Sequence, residues 1–223
     1  MKGLFYTTIL DNVVNAVNRF SDRTAFCINE KHYTYSQLGQ CISKIRRKLA
    51  KTRYQNSMVG LVINDDLETY ASIISLWLEG DCYVPLHPNW PVERCLDICR
   101  QVELDLILDS SESSRFENTP VLNTTKLKHG MSCLEPKEGV SDHELAYILF
   151  TSGSTGKPKG VQITRHNLAS FVDAFFSIYP MDENDKCLQC FDLTFDLSII
   201  SYLTPLLKGA SVCTVPPEAI KYT

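Results

Sequence analysis

Strong net charge, long apolar runs and grouped metal ligands are all missing from this chain of 223 residues, and each gap removes a class of function. Its 22 Lys and Arg against 26 Asp and Glu leave a formal net charge of -4, too mild to draw the whole molecule to nucleic acid or an acidic membrane. One basic cluster, Lys44, Arg46, Arg47, Lys48, Lys51 and Arg53, falls at the end of a predicted helix, where cations oppose the negative end of the dipole, and reads as a solvated face. Beyond Tyr54 no aromatic residue is interleaved with it, so it offers no stacking platform for bases. After Met1 and Lys2 a short apolar patch is broken by Asp11, Asn12 and Asn15, too soon for a signal-peptide core or a membrane span. A cytoplasmic protein is the expectation. The five histidines, His32, His87, His129, His143 and His166, are dispersed, which predicts solvated or locally bonded rings and no metal site. The nine cysteines are scattered and odd in number, and only Cys187 and Cys190 form a C-x-x-C pair. With no second pair to complete a zinc site, they read as buried strand thiols.

What remains is a chain with a 44% hydrophobic share, enough for a real core, in which helical and strand patterns alternate. That alternation predicts an α/β fold of helices and mostly parallel strands. Ala25 to Asn29 and Tyr33 to Tyr35 flank a polar break and predict a hairpin. Ser36 is placed to cap a helix whose Leu38, Cys41, Ile42, Ile45 and Leu49 recur at helical spacing. Met58 to Ile63 predicts a strand, Leu67 to Leu78 a helix apolar on most sides and so sandwiched, Pro91 to Val102 a helix, and Leu104 to Leu108 a strand. From Ser110 to about Asp142 the chain is polar and broken, predicting loops around one short strand near Val121. Then come strands over Leu145 to Phe150 and Gly160 to Thr164, and a helix over His166 to Tyr179 with Leu168, Phe171, Val172, Phe175 and Tyr179 on one face. A strand over Lys186 to Cys190, a helix over Leu197 to Leu207 and a strand over Ala210 to Val215 complete the series.

The richest stretch for chemistry lies between two of these strands: Thr151, Ser152, Gly153, Ser154, Thr155, Gly156, Lys157, Pro158, Lys159 and Gly160. Glycines let the backbone turn so that N–H groups converge on an anion, hydroxyls add short hydrogen bonds and lysines add charge. A polyphosphate is the natural guest. The spacing excludes a Walker A loop, because Gly153 and Gly156 are too close together and no helix follows directly.

Together with Leu145 to Phe150, this loop closely resembles the signature of the adenylate-forming, or AMP-binding, superfamily of acyl-CoA synthetases, luciferases and peptide-synthetase adenylation domains. Three further stretches resemble core motifs of its amino-acid adenylation branch. Thr34 to Leu38 is similar to the first, with Gln37 where Glu is usual; Leu78 to Pro88, continuing through Pro91 to Arg94, is similar to the second, with Asp81 and Cys82 where small residues are usual and His87 where Asp is often found. Phe195-Asp196-Leu197-Ser198 resembles the fourth, whose aspartate binds the substrate amino group. The order is most like D-alanine:carrier-protein ligases and peptide-synthetase adenylation domains.

The resemblance implies that residues 1–223 are the N-terminal part of the large domain of an adenylation enzyme. The second half, the lid lysine and the magnesium ligand would then lie outside them, so the chain reads as a fragment, a truncated frame or half of a split enzyme. It further implies ATP and Mg2+ as cofactors, an amino acid activated as the aminoacyl-adenylate, and a phosphopantetheinyl carrier protein as the thiol acceptor. Thr151, Ser152, Gly153, Ser154, Thr155, Gly156, Lys157 and Lys159 would hold the ATP phosphates, and Asp196 the substrate amino group. The alternatives are an acyl-CoA or aryl-CoA ligase fragment, or a non-catalytic nucleotide-binding module. A buried Asp196 carboxylate argues against the first, since such acids carry no ammonium to pair with it.

Overall fold

The computed structural model describes residues 2–52, 54, 57–116, 119–128, 134–151 and 158–216. At its start a π-helical turn, Tyr6–Leu10, runs into helix α1, Asp11–Arg19. The early apolar patch is thus the core face of a helix, with Ile9, Leu10, Val13, Val14 and Val17 buried while Asn15 and Asn18 face solvent. Its first N–H groups are satisfied by a distant carboxylate: Leu4 and Phe5 donate to Asp142 over 2.7 and 3.0 Å.

Strands β1, Thr24–Ile28, and β2, Lys31–Thr34, form the expected antiparallel hairpin. Helix α2, Tyr35–Leu49, follows, capped by Thr34 rather than by Ser36. Thr34 keeps an extended backbone, so its hydroxyl accepts from the Gln37 N–H at 3.2 Å while Gln37 Oε1 accepts from the Thr34 N–H at 2.8 Å. Gln37 therefore completes a reciprocal capping box. After β3, Met58–Val62, comes α3, Leu67–Glu79, whose residues are buried on nearly every side, as its composition predicts. Its ends explain a correction to the basic cluster. Lys44 Nζ lies 3.0 Å from Glu68 and Arg46 Nε 2.7 Å from Glu79, so these two cations are packed between α2 and α3 rather than solvated.

The next elements are β4, Cys82–Leu86; α4, Val92–Gln101; β5, Ile107–Asp109, which starts later than expected; and β6, Val121–Asn123. They are followed by β7, Leu145–Thr151; β8, Lys159–Thr164; α5, Arg165–Ile178; β9, Lys186–Gln189; α6, Leu197–Lys208; and β10, Ser211–Thr214. One sheet has the order β2-β1-β10-β9 and the other β6-β5-β3-β4-β7-β8. All pairings are parallel except β1 with β2 and β7 with β8. The mixed α/β architecture thus agrees with the alternating pattern of the sequence.

Helix α3 joins the layers. Tyr70 stacks on Phe26 of β1 at 4.5 Å and meets Tyr202 of α6 at 5.4 Å, while the Trp77 indole donates to the Ala146 carbonyl of β7 at 2.9 Å. Strand β7 feeds two cores by its alternation, Tyr147 and Leu149 into the larger and Ile148 and Phe150 into the smaller. Arg165, 1% exposed, locks the start of α5: its guanidinium donates to the Ser141 carbonyl at 3.0 Å, to Glu144 at 2.5 Å and to the Gly80 carbonyl.

Two expectations fail at the sheet edge. Leu168 and Val172 of α5 are buried, but Phe171 and Tyr179 are exposed, because β7, β8 and the turn Tyr6–Leu10 cover only part of that face. Cys187 is half-buried and Cys190 exposed, so they are not buried strand thiols; β9 is an edge strand and Cys190 lies beyond its end.

Candidate nucleotide and amino-acid site

Strands β7 and β8 pair in register up to Phe150 with Gly160 and Thr151 with Lys159. The expected phosphate loop is therefore flanked by two antiparallel strands. Ser152, Gly153, Ser154, Thr155, Gly156 and Lys157 lie outside the described residues, and the site is built here from its two edges. Thr151 and Lys159 are both exposed, and Thr151 Oγ1 is 3.5 Å from the Lys159 carbonyl, at the limit of a hydrogen bond. An exposed threonine and an exposed lysine at one strand end fit a polyphosphate in charge and in donor type. Gly160 plays a different part from the turning role expected of it. A Cβ there would lie 3.0 Å from Ile148 and 3.1 Å from Phe150, so its lack of a side chain lets β8 close over the smaller core.

Asp196 occupies the N-cap position of α6 with helical backbone angles and makes no side-chain capping hydrogen bond. It is exposed, contrary to the buried carboxylate expected, and its carboxylate borders a cavity of about 290 Å³ that is open to solvent. The remaining wall is mostly apolar, formed by Ile163, Leu168, Phe171, Leu197 and Ile200, with Tyr147 at one side. Burial, reinforced by the Asp196 charge, pushes the Tyr147 hydroxyl up to about 12, so it stays a neutral hydrogen-bonding group across the physiological range.

Tyr147 shares strand β7 with Thr151. It and Thr151 are four residues apart on one strand, hence on the same face and separated by about 13 Å. Leu149, between them on that face, is buried in the larger core.

Two residues were undervalued by sequence reasoning. Asp192, which stands four residues earlier and does not complete the Phe-Asp-x-Ser pattern, organises the turn leading to Asp196: its Oδ1 accepts from the Thr194 N–H at 2.8 Å and from the Thr194 hydroxyl at 2.7 Å. His87, expected to be solvated or locally bonded, places Nε2 at 3.0 Å from Asp192 Oδ2. The nearest legible signal was that His87 departs from the residue often found in its motif. Among the described residues no three His, Cys, Asp or Glu side chains are grouped to hold a metal ion. Nor is any helix among them long and apolar enough to cross a membrane.

Residues 13–222 match the family of AMP-binding enzymes. The chain belongs to that family. Its homologues are adenylation domains of nonribosomal peptide synthetases, in agreement with the resemblance carried by the loop. Tyrocidine synthase 3 of Brevibacillus parabrevis is 30% identical over 212 residues, covering 91% of this chain and 3% of that protein. Among solved structures, a four-domain nonribosomal peptide synthetase, holo-AB3403 bound to AMP and glycine, superimposes with a TM-score of 0.81 at 26% identity, over 97% of this chain and 16% of that one. The N-terminal subdomain of Klebsiella oxytoca NpsA gives 0.78 at 25% identity, over 94% of this chain and 55% of that one. This chain therefore spans a small part of the synthetases it resembles, and corresponds to the N-terminal portion of an adenylation domain. The family is one of adenylate-forming ligases.

Proposed function

We propose that this chain supplies the phosphate-binding loop and the amino-group anchor for ATP-dependent activation of an amino acid. In that reaction the substrate carboxylate attacks the α-phosphorus of ATP, the bond to the β-phosphate bridge breaks, and pyrophosphate leaves with the electron pair. Thr151 and Lys159, with Ser152, Gly153, Ser154, Thr155, Gly156 and Lys157 between them, would hold the β- and γ-phosphates and stabilise the leaving charge. Asp196 would pair with the substrate ammonium group. The aminoacyl-adenylate would then pass to the thiol of a phosphopantetheinyl carrier protein. Magnesium accompanies the nucleotide in this reading, with no residue of this chain assigned to it.

The observation that carries the proposal is Asp196 at the border of a mostly apolar cavity whose wall includes Tyr147, on the same strand as Thr151. An uncapped carboxylate in that setting suits a small cationic partner better than a fatty or aryl acid. The test replaces Asp196 by Asn in the full-length protein. Amino-acid affinity should fall by roughly 2 to 5 kcal/mol, the range for a charge pair that the bound substrate would bury in the cavity, with ATP binding unchanged. Because Asp196 makes no capping bond, stability should move by less than about 0.5 kcal/mol, below the usual cost of a lost cap. A loss of stability with amino-acid binding intact would remove Asp196 from the site. Tighter binding of aryl or fatty acids by the variant would favour the acyl-ligase reading.

A further inference from the structure

The pair His87 and Asp192 links the two sheets beside the candidate amino-acid site. His87 follows β4 directly, while Asp192 lies between β9 and α6. The ring is fixed from several sides. Nδ1 accepts from the Asn89 N–H at 3.0 Å, which leaves the proton of the neutral ring on Nε2, facing Asp192 Oδ2 at 3.0 Å. The ring also packs against Trp90 at 5.8 Å, and Arg115 donates to the carbonyls of Trp90 and His87 at 2.6 and 2.7 Å.

On the other side, Asp192 uses Oδ1 to hold the Thr194 N–H and hydroxyl, and its carbonyl accepts from the Phe195 N–H at 2.9 Å. The chain enters Asp196 and α6 directly from that turn. One carboxylate thus spends one oxygen on a ring from β4 and the other on the turn that aims Asp196.

From this geometry we infer that His87 and Asp192 act as positioning residues, a pin across the sheets that sets the direction of Asp196 for the substrate amino group. The inference rests on the proposed role of Asp196. It also accounts for the departure at position 87. A second carboxylate there would face Asp192, whose charge already bears on Asp65, and like charges repel. A histidine at 87 is therefore matched to an aspartate at 192, two positions that sequence patterns treat separately.

The experiment is a swap. His87→Asp, the residue often found in this motif, should break the pin, and adding Asp192→Asn should restore it by giving the new carboxylate an N–H donor. His87→Gln, which keeps a donor, should behave close to wild type and covers the case in which His87→Asp folds poorly. Amide hydrogen exchange at Thr194 and Phe195 reports the turn, exchange in the middle of α6 controls for global unfolding, and dissociation constants for the cognate amino acid and for ATP report the site. In His87→Asp, exchange at Thr194 and Phe195 and the amino-acid dissociation constant should each rise roughly tenfold or more, the equivalent of one lost hydrogen bond to a charged group. ATP affinity and α6 exchange should hold, and the double variant should recover both readouts. Unchanged protection at Thr194 and Phe195 in His87→Asp, or no recovery in the double variant, overturns the pin. If the turn loosens and recovers as stated but the wild type binds no amino acid, the pin stands and the amino-acid reading fails instead.

Discussion

Replacing Asp65 by Asn should stabilise this protein, and only above the acid range. Asp65 follows β3 in a left-handed backbone conformation, φ 51°, and accepts a hydrogen bond from the hydroxyl of fully buried Tyr70. Burial, reinforced by the charges of Asp66 and Asp192, pushes its carboxyl from 3.8 up to about 6, against the opposing pull of the Tyr70 bond. A folded-state value above the unfolded one means that the native state binds the proton more tightly. The associated stabilisation is complete below pH 3.8 and is lost as pH rises through about 6. The gap between the two values, at roughly 1.4 kcal/mol per pH unit, makes the loss about 3 kcal/mol by neutral pH. Asn keeps an acceptor for Tyr70 and tolerates the left-handed backbone, but carries no charge to desolvate. Urea unfolding in half-unit steps from pH 4 to pH 8 should show the two proteins converging at the acid end. The variant should gain steadily between pH 4 and pH 7, and the difference should level off above. A difference that is flat across this window, or that grows toward acid, refutes the reasoning.

Arg165→Met should cost about 3 kcal/mol in chemical denaturation, because it strands the part-buried carbonyls of Gly80 and Ser141, and Arg165→Lys should recover only part of that since one ammonium group cannot reach both carbonyls and Glu144. Gly209→Ala should cost about 2 kcal/mol or more. The residue ends α6 at φ 77°, and its new Cβ would fall 2.2 Å from the Phe20 ring. Adding Phe20→Ala should relieve the clash but not the backbone strain.

Where elements were legible in the sequence, the cause was local. Apolar runs drew β3 and β7, helical spacing drew α2 and α6, and the polar break between β1 and β2 drew their hairpin, because each rests on neighbours a few residues apart. The loop from Thr151 to Gly160 and the Phe-Asp-Leu-Ser stretch were legible for the same reason: their chemistry is contiguous. The helix over residues 4 to 19 was also written in the spacing of Ile9, Leu10, Val13, Val14 and Val17, but Asn12 and Asn15 disguised it as a broken apolar patch. Other features had no local sign. Asp142 reaches back 138 positions to start that helix, Arg46 finds Glu79 33 positions away, and Arg165 reaches the Gly80 carbonyl across 85. A polar side chain inside a fold must be bonded, but sequence shows only that it is polar; which partner neutralises it is decided when the two sheets close around α3. The site divides in the same way. Sequence determined that a Gly- and Ser-rich loop resembling a phosphate-binding signature and an aspartate before α6 are present, whereas only tertiary structure put Tyr147 beside Asp196 and set His87 against Asp192, because those neighbours meet in space and not along the chain.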